Sequence, residues 1–405
     1  MPVTKHAFDE DVFHIETFTA SYPHKRIDVV DLHPEITTLT WSTARAGGFQ
    51  TLAVGYDHAA VASDGSEVTF SHIPYDVMVA PHFAVVRVSA RNHCVYEGRI
   101  VRRDLGPMGL ASFQAKGLGI TATGDNTFIA PTQEDFYSSA QVMEIALKSC
   151  ANNLIAIGGP DLWQDSQIDH HMQVEFNRRQ ASQIIDQLAR AGNGGVWDFA
   201  VWERRGGEQP FTRAVASFLP RTPPATPDFW IPWSSAIQNW TEISENAYNH
   251  VTVSYTDADT NINNLLTKQY DDSGLSDIYG IDRSITVPAG TICDRCADAF
   301  ARTYLAQHRL PSIQCTLALN GFHGLEAYNG GAEIPPYLIR ADQWIQVADY
   351  PQILPIVRTE YNASTGELTL EIGGPTPSYG NFTHELHRAH CAVAGGSNVN
   401  LGSKA

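Results

Sequence analysis

Short runs in which apolar and polar residues alternate recur through most of this chain. A two-residue period is the mark of a half-buried strand, because successive side chains point to opposite faces. In the first third such runs cover residues 26–30, 35–41 and 49–54, with Gly47 and Gly48 breaking two of them apart. Residues 83–88, 94–102 and 113–119 continue the pattern. Further on, residues 196–202 and 214–219 form a Trp-led hairpin around a turn at Arg205, Gly206 and Gly207. Residues 247–255, 284–287, 313–319 and 344–350 are further strands, and 356–361 pairs with 367–373 across a turn ending at Gly366. A strand with one apolar face can bury it only against other elements, so the expected fold class is a β-rich α+β chain.

Helical spacing is confined to three stretches. Residues 134–150 carry Phe136, Ala140, Met143 and Leu147 on one face, and Ala181, Ile184, Ile185, Leu188 and Ala189 make a second stripe that stops at residues 192–195, rich in glycine. Residues 291–308, rich in Ala and Arg, are the third. Five prolines between Pro220 and Pro232 read as a connector without regular structure, and residues 261–277 as a loop. The expected organisation is an N-terminal β domain over 1–130, a mixed α/β insertion over 131–219 and a Pro/Trp-rich connector over 220–246. A C-terminal β domain with one helix follows over 247–378, then a polar tail over 379–405. At 405 residues, about two to four domains are expected, and no short internal repeat is visible.

A formal charge of −17, from 27 basic and 44 acidic residues, argues against a protein built to grip phosphates. An acidic surface favours solubility, and it also suits a channel through which DNA slides without sticking. The six cysteines are too sparse for a disulfide scaffold and read as reduced, buried thiols. No apolar run approaches the ~18–20 residues of a membrane helix. Residues 1–16 show no signal peptide, so synthesis in a cytoplasm is expected.

Motifs that resemble chemical sites are incomplete. Cys293 and Cys296 form a C-x-x-C without the second pair of a zinc ribbon and without the βαβ setting of a redox site; core packing is the expected role. His384, His387, His390 and Cys391 cluster near the C-terminus, but Arg388 stands where the H-E-x-x-H pattern needs histidine. A solvated tail is the expected reading, and a zinc-dependent hydrolase using these four residues is the remote alternative. Asp169, His170 and His171 spell a phosphoesterase tripeptide without its further clusters, and the glycines at 192–195 follow a helix instead of opening one. No catalytic residue, cofactor or metal is assigned. Arg99, Arg102 and Arg103 read as solvated surface or an interface patch. Of Trp197, Trp202, Trp230, Trp233, Trp240 and Trp344, some are expected at subunit interfaces, where partly exposed aromatics are favoured.

One ordered set of features resembles a known family. Residues 276–283 lead through Tyr279 and Gly280 into a strand; Pro288, Ala289 and Gly290 follow, then a helix, an alternating strand, a polar-faced strand meeting Pro351, and the closing hairpin. Upstream, Tyr96, Glu97, Gly98, Arg99 and Ile100 precede a strand ending in Gly117, and a helix with a glycine stop precedes the Trp-led hairpin. This order resembles tail-hub and minor tail proteins of tailed bacteriophages over most of residues 40–375. The resemblance implies two tube-like β-barrel domains per subunit and a small mixed α/β insertion. It also implies a homotrimeric pseudo-sixfold ring in the virion tail. Implied partners are the tail tube protein, the distal tail protein and a central fibre or tip protein, with DNA passing through the lumen and no bond-making chemistry. A sixfold distal-tail ring protein is the nearer alternative. The segment from Tyr379 onward matches no part of this pattern.

Overall fold

The alternating runs pair into one long antiparallel ribbon. The computed structural model describes residues 13–18, 36–57, 60–61, 67–68, 83–90, 93–105, 110–124, 127–129, 136–138, 146, 155–157, 171–173, 177–181, 197–202, 214–220, 223–245, 247–257, 265–292, 294–320, 325–328, 333–348 and 350–373. The strands used below are β1 (Phe13–Phe18), β2 (Ile36–Ala44), β3 (Gly47–Asp57), β4 (Val85–Ala90), β5 (His93–Leu105) and β6 (Leu110–Gly117). Helix α1 (Leu118–Gly124) follows, then β7 (Trp197–Trp202), β8 (Ala214–Pro220), β9 (Phe229–Ile231) and β10 (Ile237–Ile243). Next come β11 (His250–Asp257), β12 (Leu265–Asp271), α2 (Gly274–Tyr279), β13 (Ser284–Ile292) and α3 (Asp294–His308). The chain closes with β14 (Ser312–Leu319), β15 (Leu325–Ala327), β16 (Trp344–Val347), β17 (Ile353–Asn362) and β18 (Glu367–Gly373).

Antiparallel pairs run without interruption in the order β10–β14–β18–β17–β2–β3–β6–β5–β4–β1. The junction β2–β17 joins the first and last parts of the sequence. There Thr43 and Thr359 share a hydrogen bond at 2.6 Å, and the Thr43 hydroxyl accepts the Ala341 amide at 3.1 Å. Alternation explains the packing on either side. Ile313, Cys315, Leu317 and Leu319 of β14 are buried, as are Leu368, Leu370 and Ile372 of β18. In β17 the parity switches, with Leu354 and Ile356 buried and then Thr359 and Tyr361. The register shift between Ile356 and Arg358 causes it, since an extra residue turns the following side chains to the other face.

Each half of the ribbon curls. Phe13 on β1 reaches Trp41 of β2 and Tyr337 at 5.5 Å each. In the other half β17 also pairs with β16, β16 runs parallel to β9, and β9 pairs with β15. One hydrophobic core spans both halves, from Leu39 and Trp41 to Leu370 and Ile372. The chain is therefore β-rich, and among the described residues no barrel is closed. The β7–β8 hairpin leans on the first half where Val201 pairs with Gly48. A Cβ on Gly48 would lie 2.1 Å from the Val201 carbonyl oxygen, and its φ of +81° also favours glycine.

A second, separate core lies in residues 247–310. Strands β12–β11–β13 form a three-stranded sheet, and Ala297, Phe300, Ala301, Tyr304 and Leu305 of α3 cover Val251, Val253 and Val287. Lys268 ties the helix to the sheet edge, reaching Asp294 at 2.7 Å and Asp298 at 2.8 Å, while Tyr255 and Tyr270 donate to the same two carboxylates.

Several local expectations change. Phe136–Ser138, expected within a helix, is a strand paired with His171–Gln173. Phe229–Ile231 is a strand inside the proline-rich stretch, because Pro227 and Pro232 flank it without occupying a bonding position. Residues 261–277, read as a loop, contain β12 and α2. The strand beginning at Ser284 continues through Pro288 to Ile292. Pro288 sits at a bulge, on a strand that bonds only to β11 among the described residues, so the missing N–H costs no ladder bond. Residues 26–30 and most of the helical stripe after Ala181 lie outside the described residues.

Candidate protein-docking surface

The Tyr279–Gly280 turn is built around a buried polar residue. Asn249 is fully buried at the start of the 247–310 unit, where an unpaired amide would be costly. Its amide nitrogen donates to Ser276 Oγ and Asp282 Oδ1, both at 2.8 Å, and its Oδ1 accepts the Arg283 backbone amide at 2.6 Å. Ser276 also donates to Asp282. The Asn249 backbone adds two bonds, one to the Arg283 carbonyl and one from the Asp272 amide. Four residues of 272–283, Asp272, Ser276, Asp282 and Arg283, are thereby fixed to one side chain and its backbone.

Gly280 ends α2 in the left-handed conformation, at φ 64° and ψ 28°, with its amide on the Ser276 carbonyl. Arg283 then reaches back, donating to the Ser244 and Glu245 carbonyls at 2.6 and 3.0 Å and lying over the Tyr248 ring at 5.0 Å. Those carbonyls directly follow β10, so the turn is pinned against the end of that strand. Ile278, Tyr279 and Ile281 are 49%, 46% and 52% exposed. A short segment held so firmly, with three large apolar side chains in solvent, is arranged to present them.

His250, beside Asn249, bonds Asp271 at 2.7 Å and lies 3.6 Å from Asp282. The hydrogen bond to Asp271 raises its pKa above the ordinary histidine value. Asp271 is lowered by His250 and by Gln269, and Asp282 by Ser276 and Asn249.

Next to the turn runs an aromatic ladder. Trp233, 62% exposed, meets Trp240 of β10 at 5.2 Å, and Trp240 meets Tyr350 at 5.1 Å, both edge-on. Trp240 donates to Glu242 at 3.2 Å. Burial pushes the Tyr350 phenol up, with Glu242 and then Tyr279 of the turn adding to the shift. Strand β10 pairs only with β14 among the described residues, and Gln238, Asn239, Thr241 and Glu242 are exposed. Its other edge therefore has no strand partner among the described residues, beside the rings of Trp240 and Trp233.

The other candidates from sequence fall elsewhere. His384, His387, His390, Cys391 and Cys293 lie outside the described residues, as does the side chain of Cys296. The described residues hold no cluster of His, Cys, Asp or Glu suited to a metal ion. Trp202 and Trp344 are buried; Trp230 is half-buried and donates to the Ala348 carbonyl. Arg99 is buried, Arg103 half-buried and Arg102 exposed. Asn249 and Tyr350 were not singled out from sequence; only the Tyr279–Gly280 motif and the tryptophans pointed to this surface. Among the described residues no helix is long and apolar enough to cross a membrane.

No protein-family model and no curated protein matches the chain. Solved structures do. Prophage tail protein gp18 from Listeria monocytogenes EGD-e aligns with 93% of this chain and 99% of its own, at 11% identity and a TM-score of 0.53. The 43 kDa tail protein of prophage MuSo2 from Shewanella oneidensis covers 90% and 99%, at 9% identity and a TM-score of 0.52. The chain has the fold of phage tail proteins. A chain of the lidded Francisella PdpA–VgrG complex aligns with 94% of this one over 54% of its own length, at 11% identity and a TM-score of 0.50.

Proposed function

We propose that this protein is a structural subunit of a phage-like tail, forming the hub or tip ring that joins the tail tube to a central fibre or tip. The observation that carries the reading is the doubled architecture: two curled halves of one ribbon, joined at β2–β17 over a common core. Each half stands for one tube-like barrel unit, so three subunits supply six such units and a threefold ring matches a sixfold tube. Ring closure uses head-to-tail contacts between different faces of identical subunits. The net charge of −17 fits a lumen that lets DNA pass without holding it. The protein works by assembly and gating, with no cofactor and no bond-making step, in a virion tail put together in the host cytoplasm.

The test is the oligomeric state of the full chain, by light scattering, alone and with purified tail-tube protein. A trimer, or a ring forming on tube ends, is expected. A hexamer moves the protein to the distal-tail ring position, and a monomer that ignores tube protein overturns both readings. Zinc bound to the purified chain and lost on truncation after Ser378 would revive the hydrolase alternative.

A further inference from the structure

The open edge of β10 and the aromatic ladder beside it have no covering element among the described residues. The surroundings of this face are acidic on balance. Residues 271–282 contain four aspartates, and Glu242 and Glu245 are exposed, against Arg283 at the Glu245 carbonyl and Arg309 at 3.8 Å from Asp272. A like-charged partner would be repelled. An occupant must bring positive charge, and it must tolerate an apolar contact with Trp233 and Tyr279.

This chain carries such a surface in its other half. On the outward face of β5 and β6, Arg102 stands opposite Gln114, and Lys116 is two residues further along the same strand face. All three are exposed. Lys116 has no carboxylate partner among the described residues, and Arg102 reaches only Asp104, at 2.9 Å on the open surface. A surface ion pair of that kind is weak and screened, so it exchanges readily for a new partner. The acidic and the basic faces sit on opposite halves of the ribbon, separated by the β2–β17 junction. Two different complementary faces on one chain are what head-to-tail assembly requires, whereas a twofold contact would use one face twice.

We infer that the occupant of the Trp233–Trp240–Tyr279 face is a second copy of this chain, docked through its β5–β6 face so that Arg102 and Lys116 meet Glu242 and Glu245. The inference rests on the ring reading and deepens it by naming the two faces that meet. Apolar contact from Trp233 and Tyr279 supplies the affinity, and the charges set register and exclude the reversed orientation.

The experiment is sedimentation velocity on the full chain, with circular dichroism confirming that each variant is folded. Wild type is compared with Glu242→Lys/Glu245→Lys, with Arg102→Glu/Lys116→Glu, and with the fourfold variant carrying all four changes. All four residues are exposed, so the fold is expected to tolerate each change. Each double variant places like charges together and should raise the dissociation constant by about tenfold or more, and the fourfold variant should restore assembly. Double variants that assemble like wild type overturn the docking while leaving the ring reading intact. Double variants that fall apart without rescue in the fourfold protein overturn the pairing of these two faces. A wild type that stays monomeric, alone and with tail-tube protein, overturns the ring reading and the docking with it.

Discussion

Two aromatic clusters of similar composition sit in opposite circumstances. At the junction of the two halves, Trp41 and Tyr361 lie 4.7 Å apart, with Phe13 and Tyr337 closing over them. Trp41, Tyr337 and Tyr361 are all buried. At the edge, Trp233, Trp240 and Tyr350 also stack ring to ring, edge-on, but among the described residues no element covers one side of the ladder. Ring–ring contacts alone therefore do not separate a core from an interface. What separates them is whether the second face has a covering element. The inner cluster holds the fold together, while the outer cluster leaves apolar surface for a contact the single chain does not make.

The comparison breaks most readily at its inner end. Trp41→Ala removes a large buried ring at the β2–β17 junction and is expected to cost about 3–5 kcal/mol, a large part of a typical domain's stability. Chemical denaturation of the pure protein measures it. A loss under about 1 kcal/mol would show that the two halves do not depend on this seam.

The Asn249 clasp comes second. Asn249→Ala leaves the Arg283 amide without its side-chain acceptor and frees Ser276 and Asp282, so a loss of about 1–3 kcal/mol is expected. Hydrogen exchange should localise the change to residues 272–283 while β2 and β17 keep their protection. Equal loss of protection across the whole ribbon would mean that the clasp serves general stability, not presentation of the turn.

At the outer cluster, stability and assembly should come apart. Trp233→Ala should change unfolding free energy by no more than about 0.5 kcal/mol, since the ring is mostly in solvent. Self-association should weaken by about 2 kcal/mol if the ring anchors the contact. A variant that assembles normally would reduce the ladder to surface decoration.

The sequence was most legible where strands have one wet and one dry face, as at residues 313–319 and 367–373, because alternation reports burial directly. It was least legible at β12. That strand lies at a sheet edge with Leu266, Thr267 and Gln269 exposed, so no dry face imposes a period. At β17 the bulge reverses the parity of the pattern halfway along, which a fixed two-residue period does not anticipate. The Tyr279–Gly280 motif stood out, but its organiser did not. Asn249 matters because Ser276, Asp282 and Arg283 converge on it from about thirty positions away, and convergence is a property of the fold. The Glu242–Glu245 and Arg102–Lys116 faces are ordinary charged residues in the sequence; only the pairing order puts them on opposite halves.

The smallest expected effect is a pH dependence of the outer region alone. His250 is held above its ordinary pKa by Asp271 and then Asp282, so its contribution is complete below about pH 6.5 and is lost as pH rises through the raised folded value. Asp271 and Asp282 are held below theirs, so their contribution is complete above about pH 3.9 and is lost as pH falls through the lowered values. The clasp around the Tyr279–Gly280 turn is therefore strongest in the interval between those two ordinary values. Hydrogen exchange of residues 272–283 at roughly pH 5.5 and 8.5, corrected for the intrinsic rate, should show greater protection at the lower value. Among the described residues no histidine bonds to the inner junction, which serves as the internal control. His250→Asn should abolish the difference at the turn. If wild type and variant respond alike, the imidazole is not what couples this surface to pH, and the turn is held by Asn249 and Arg283 alone.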